Sequence, residues 1–287
     1  MSRLGILFMR LLAPWPLAVV RALGWLLGCV LYAMVVPRRR VVRANLAACF
    51  PGLDPRRREA LVFRVFLRFA QAWLDRSWIW HGAPALVRRR LVLTGAVDEF
   101  AGEQPTLVFA PHFVGMDAGW TALTQQVPRR WVGIYTKQSN PVVDAWVLRG
   151  RHRFPGGRPF GREDGVRELV SSLRRGEVMY LLPDMNFGPE ESIFVPFYGL
   201  AAATVPSLSR FAKLGRAKVV PVVTRLTREG YEVRVLPAWQ NFPTEDIAAD
   251  TALMNQRLEG WIDAMPDQYY WVHKRFKTRP PGQPPVY

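Results

Sequence analysis

Cysteine is nearly absent: Cys29 and Cys49 are the two in 287 residues. That is too few for a disulfide framework, and the pair has no metal-ligand spacing, so a reducing compartment is the simpler reading. Histidine is scarce as well. His81, His112, His152 and His273 are far apart in sequence, which disfavours a metal site. The sequence has no G-x-S-x-G, no G-x-x-x-x-G-K-[ST], no G-x-G-x-x-G and no H-E-x-x-H. The usual serine-hydrolase, NTPase, dinucleotide and zinc-protease readings fall with them. Internal repeats, low-complexity tracts and long linkers are also missing, so the chain is long enough for one main domain with a packed core and an appendage.

Acidic charge is in deficit, 23 Asp and Glu against 39 Lys and Arg, for a formal net charge of +16. Such a balance predicts an anionic partner: nucleic acid, a phosphate-bearing membrane or an acidic protein. The N-terminal run narrows the choice. "LGILFMRLLAPWPLAVVRALGWLLGCVLYAMVVP" is almost continuous hydrocarbon, broken by Arg10 and Arg21 and followed by "RRRVVR". Trp15 to Val36 nearly supplies the roughly 20 apolar residues of a spanning helix, with Arg21 placed to snorkel near its start. We read one anchor helix over residues 1–37, spanning the bilayer or lying steeply in it, without the small-residue cleavage site of a signal peptide. Arg38, Arg39, Arg40 and Arg43 directly after it place the rest of the chain on the cytoplasmic side. They also suit anionic headgroups, at about 1 kcal/mol each. A nucleic-acid partner would account for the arginines but not for the anchor.

Residues 38–90 read as basic amphipathic helices broken at Pro51, Gly52 and Pro55. From residue 91 to 287 the pattern changes. Short β-rich runs at 91–93, 106–110, 131–135, 178–182, 218–223 and 231–236 alternate with helical patterns around 115–127, 141–149, 164–175 and 245–264. This predicts an α/β core, a sheet covered by helices, with ligands gathering at the carboxyl ends of its strands. The proline-rich ending "RPPGQPPVY" predicts an irregular tail.

"TLVFAPHFVGMDAGW" carries the candidate chemistry. Positions five apart are about 140° apart around a helix, so one helix face does not bring His112 to Asp117. A strand ending at Ala110, an exit loop with His112 and a helix opening at Gly115 do: Asp117 in the first turn can reach back to one imidazole nitrogen and leave the other for a substrate. A carboxylate so placed fixes the tautomer of a general base. Gly115 leaves room for a substrate carbonyl, and Phe109, Phe113, Met116 and Trp120 are candidates for an apolar groove. The residues alone leave a second reading open, a hydrogen-bonded loop histidine and an aspartate favoured by the helix dipole, with the aromatics as core.

The anchor, "RANLAACFPG", "APHFVGMDAGW", "LLPDMNFGPEESIFVPFYG" and "QYYWVHKRFKTRPPGQPPVY" together resemble the late acyltransferases of lipid A biosynthesis, from about residue 3 to the carboxyl end. The resemblance implies a glycerolipid acyltransferase-like fold at the cytoplasmic face of a bacterial inner membrane. It also implies transfer of a fatty acyl chain from acyl carrier protein to a hydroxyl of a lipid A precursor, in contact with inner membrane phospholipids. By position it implies His112 as base and Asp117 as its partner. Arg162 and Asp184 become substrate-binding residues beside Gly115 and Phe113. A thioester donor is already activated, so the expectation is no cofactor and no metal. Asn186 stands where the family often has a second acid, which limits it to a hydrogen-bonding or turn role. Lys274, Arg275 and Lys277 in "WVHKRFK" either meet anionic partners or lock the tail to the domain, and the latter is preferred. Two alternatives stay open, an acyltransferase for another polar lipid and a non-enzymatic membrane-associated protein.

Overall fold

The computed structural model describes residues 3–161 and 165–287. Its centre is a seven-stranded sheet in the order β1-β9-β8-β2-β5-β3-β4. The strands are β1 (Leu91–Gly95), β2 (Thr106–Phe109), β3 (Trp131–Tyr135), β4 (Gly157–Gly161), β5 (Val178–Leu181), β8 (Lys218–Leu226) and β9 (Tyr231–Val235). All neighbours are parallel except the β8–β9 hairpin. β2 and β5 are buried along their whole length, as apolar strands covered on both faces must be. The expected α/β class, a mostly parallel mixed sheet under helices, is what the chain adopts.

Helices α6 (Met116–Gln126), α7 (Pro141–Arg151), α8 (Val166–Arg174), α9 (Ser207–Gly215) and α10 (Ile247–Ala264) follow the strands. α7 starts where Asn140 accepts the amides of Val142 and Val143 ahead of Pro141 at the first helical position, a strong start signal. Two elements escape the sequence pattern. β4 is built from "GRPFG" and survives its proline because it is the edge strand. β6 (Ile193–Phe197) and β7 (Leu200–Thr204) form a separate hairpin turned at Tyr198 and Gly199, both with positive φ, the backbone a two-residue hairpin loop requires.

The N-terminal region departs from the expected single anchor. It forms two helices, α1 (Arg3–Leu12) and α2 (Leu17–Met34), because Pro14 and Pro16 interrupt the hydrogen-bond ladder. α3 (Val36–Cys49), α4 (Pro55–His81) and the short α5 (Pro84–Arg90) lead into the sheet. Among the described residues α2 is the one helix long and apolar enough to cross a membrane, and little of it is buried. Its inner face lies tightly on α4. A Cβ on Gly24 would sit 2.8 Å from the Gln71 Cα, and one on Gly28 would sit 2.8 Å from the Leu67 Cα.

Arg21 does not snorkel. Its Nε donates to Asp75 Oδ1 at 3.1 Å, its Nη2 lies 2.9 Å from Oδ2, and Nη2 also donates to the Gly230 carbonyl. Asp75 is fully buried and accepts from Tyr231 Oη and Trp78 Nε1 as well. The outward faces of α1 and α2, with Trp15 between them, carry exposed Leu4, Leu7, Phe8, Leu11, Trp25, Leu26, Val30 and Met34.

Candidate active site

The register of two neighbouring strands builds the site. β2 and β5 run parallel with Phe109 opposite Leu181, so the third residue beyond each strand arrives at the same edge of the sheet. Those residues are His112 and Asp184. The imidazole Nδ1 lies 2.7 Å from Asp184 Oδ1, and the His112 amide donates to Oδ2 at 3.1 Å. Tyr269 Oη donates to the same Oδ2 at 3.0 Å. Asp184 is completely buried. Burial pushes its carboxyl up, but His112 and the three hydrogen bonds outweigh that and hold it below the usual carboxylate range. An acceptor-only carboxylate of this kind fixes the Nδ1–H tautomer and leaves Nε2 as the available base.

The tail completes the support. Tyr270 donates its amide to the His112 carbonyl, and Val114 donates to the Gln268 carbonyl. Phe113 pairs with Tyr269 in an isolated antiparallel bridge. The exit loop is thus held between two strand ends and a carboxyl-terminal segment distant in sequence.

Asp117 takes a different part from the expected one. It lies in the first turn of α6 as the spacing predicts, but no hydrogen bond joins it to His112 among the described residues. Its Oδ2 accepts from Arg76 Nε at 2.8 Å and its Oδ1 from Arg151 Nε at 3.0 Å. The terminal nitrogens of both arginines close two forks, at 2.7 and 3.0 Å. Burial alone would raise the Asp117 carboxyl, but the charges of Arg151 and Arg76 outweigh it and bring it to about 2. The physical reason for the difference is competition: two guanidiniums hold the carboxylate more strongly than one imidazole, and the β5 exit supplies that imidazole with an aspartate of its own.

Both clusters border one cavity of about 670 Å³. His112, Asp117, Arg151 and Arg210 line it, with Met116 and Trp120. Its other wall is apolar: Ile134 from β3, Leu181 and Leu182 from the end of β5, Leu169 from α8, and Phe211 and Leu214 from α9. Val166 and Leu214 are exposed at that side. The Arg76–Arg151–Asp117 cluster by itself carries one net positive charge, and Arg151 is partly exposed.

Gly115 and Phe113, expected beside the substrate, are not among the residues that line this cavity. A Cβ on Gly115 would come within 2.7 Å of Thr224 Cγ2 and 2.9 Å of the Tyr231 ring; close packing requires the glycine. Phe113 is buried edge-on against Tyr269, and Phe109 is core as well. Met116 and Trp120 do reach the cavity. Arg162 lies outside the described residues.

Asn186 accepts from the Gly188 amide and Thr278 Oγ1, so it ties a turn to the tail. His273 Nε2 accepts the Asn186 amide at 3.3 Å. Burial, followed by the positive field of His112 and Arg275, holds its imidazole down at about 4. Arg275 is buried on the Ala203 carbonyl and Thr204 Oγ1, and Lys274 sits over the Tyr287 ring. These contacts lock the tail to the domain. The residues that sequence reasoning missed are Arg76 and Arg151. The trace of Arg76 was an Asp-Arg pair inside the apolar "WLDRSWIW" of α4, where a buried charge needs a partner.

The chain matches the family described as bacterial lipid A biosynthesis acyltransferase over residues 1–278. It is 31% identical to a lipid A biosynthesis acyltransferase of Haemophilus influenzae, covering 98% of this chain and 88% of that protein. It is 30% identical to the lipid A biosynthesis lauroyltransferase of Escherichia coli K12, over 99% of this chain and 93% of that protein. The lipid A biosynthesis myristoyltransferase of the same organism is 31% identical over 85% of this chain and 77% of its own length. With a half-buried, carboxylate-held histidine lining a partly apolar cavity, the chain belongs to the bacterial lipid A biosynthesis acyltransferase family and is an acyltransferase.

Proposed function

We propose that the protein transfers a fatty acyl chain from the thioester of acyl carrier protein to a hydroxyl of a lipid A precursor of the Kdo-lipid IVA type. The observation that carries this reading is His112 held at Nδ1 by buried Asp184 while it lines a cavity with an apolar wall. His112 Nε2 takes the proton of the acceptor hydroxyl as the oxygen attacks the thioester carbonyl, and Asp184 stabilises the imidazolium that forms. The carbon–sulfur bond then breaks and the carrier's thiol leaves with a proton returned from His112. Asp117 is a positioning residue: it clamps Arg76 and Arg151 so that Arg151 faces the developing oxyanion or an acceptor phosphate. The hydrocarbon chain lies along Ile134, Leu169, Leu181 and Phe211.

The outward faces of α1 and α2 support a place at the inner membrane, with the catalytic part on the cytoplasmic side. Arg21 and the two glycines fasten α2 to α4 along its length, and we read the helix as lying in the bilayer surface rather than crossing it. Purified protein with acyl carrier protein thioesters and lipid A precursor is expected to form a new ester, and His112→Ala to lose it by on the order of 10² to 10⁴-fold. Transfer by His112→Ala at the wild-type rate would sink the assignment. Turnover on a lysophospholipid or ornithine lipid, with none on the lipid A precursor, would replace the acceptor.

A further inference from the structure

Of the four arginines that the sequence offers to lipid headgroups, three have partners within the chain. Arg38 donates to the Val272 carbonyl, Arg39 donates to the Tyr32 carbonyl and stacks on its ring, and Arg43 forks onto Glu59. Free cationic groups converge elsewhere. Arg3 and Arg10 of α1 and Arg149 of α7 border one open cleft of about 490 Å³, whose other walls include Ile6, Leu7 and Val142.

Residues 3 and 10 are two helical turns apart, so they share a face of α1. Positions 142 and 149 are likewise two turns apart on α7. No acidic residue lines the cleft. None of the three guanidiniums has a hydrogen-bond or ion-pair partner among the described residues. Their field is felt next door: burial, followed by the charges of Arg10, Arg153 and Arg149, holds the His81 imidazole down at about 4. The cleft shares no lining residue with the catalytic cavity.

We propose that this cleft between α1 and α7 binds the phosphate headgroup of an anionic phospholipid in the bilayer. The three arginines are exposed, and a like-charged cluster with no acidic neighbour attracts an anion, with guanidiniums suited to phosphate. Leu7 decides between a free anion and a lipid: it lines the cleft and also belongs to the exposed apolar face with Leu4, Phe8 and Leu11. A phosphate seated on the arginines therefore has its acyl chains beside a surface that has to be covered. The proposal rests on α1 and α2 facing the bilayer, and not on the acyl transfer itself.

The test is co-flotation of the full-length protein with vesicles of phosphatidylcholine alone or in equal mixture with phosphatidylglycerol. Replacing Arg3, Arg10 and Arg149 together by Gln is expected to weaken binding to the mixed vesicles roughly 100-fold, with binding to the neutral vesicles unchanged. A charge-matched variant, R56Q/R57Q/R216Q, removes exposed arginines away from the cleft and is expected to lose less than about 5-fold. Equal losses in the two variants would overturn the proposal, because diffuse charge would then explain them. Release of the wild type by inorganic phosphate at constant ionic strength would overturn it too, in favour of a free-anion pocket. Should the triple variant melt low, R149Q alone reads the same site at about 5-fold. Acyl transfer to detergent-dispersed acceptor is expected to persist in every variant, which keeps this test separate from that of the catalytic reading.

Discussion

Asp117 and Asp184 are both buried carboxylates at one cavity, and they differ in what they hold. Asp184 holds an imidazole through Nδ1, so Asp184→Asn removes the charge that stabilises the imidazolium while keeping the shape. The expected result is a fall in kcat of on the order of 10² to 10⁴-fold with a small change in melting temperature. Asp117 neutralises two arginines, and Asp117→Asn leaves them facing each other with no counter-charge. A stability loss of about 3 to 5 kcal/mol is expected there, together with a raised KM as Arg151 shifts. Steady-state kinetics beside urea unfolding separates the two. A loss of kcat in Asp117→Asn with unchanged stability would return Asp117 to the histidine. The motif spacing made both residues of "HFVGMD" visible, and the strand–loop–helix geometry followed from it. The pairing did not, because His112 and Asp184 are 72 positions apart and meet only through the register of β2 on β5.

Among the elements, legibility followed local pattern. Runs such as "WVGIY" and "TLVFA" bound their strands almost to the residue. β4 was hidden by two glycines and a proline, and β6 by Pro196, since neither composition favours a strand away from an edge. Hydropathy ran straight through Pro14 and Pro16 because it is blind to a missing amide donor. The packing of α2 on α4 was invisible for another reason: Gly24 and Gly28 in an apolar helix are equally at home in lipid. The contact distances make the test. Gly28→Leu has no room against the Leu67 backbone, and about 1 to 3 kcal/mol of destabilisation is expected from overpacking. Arg21→Met strands buried Asp75 without its cation, which is expected to cost about 3 to 5 kcal/mol. Thermal melts of both variants in detergent check this. Wild-type melting would mean that α2 leaves the domain for the bilayer.

The whole molecule carries two acid-sensitive supports that act in separate pH windows. His81 Nε2 accepts the Trp146 indole N–H at 2.9 Å, and His273 Nε2 accepts the Asn186 amide, so both contacts need neutral rings. Both imidazoles are held at about 4, by burial first and neighbouring positive charge second, against an ordinary value of 6.5. As pH falls below about 6.5 the unfolded chain takes up these protons and the native chain does not, so native stability declines until pH reaches about 4. Asp117 acts in the same sense over a lower range. Its folded value of about 2 lies below the ordinary 3.8, so its contribution is complete above about pH 4 and is lost as pH falls towards about 2. Unfolding free energy measured in urea across this range is therefore expected to fall in two stages. His81→Gln with His273→Gln should flatten the upper stage and leave the lower one, and Asp117→Asn should do the reverse. A single decline centred near pH 4 in both variants would show that ordinary surface carboxylates, not these buried groups, govern the acid response.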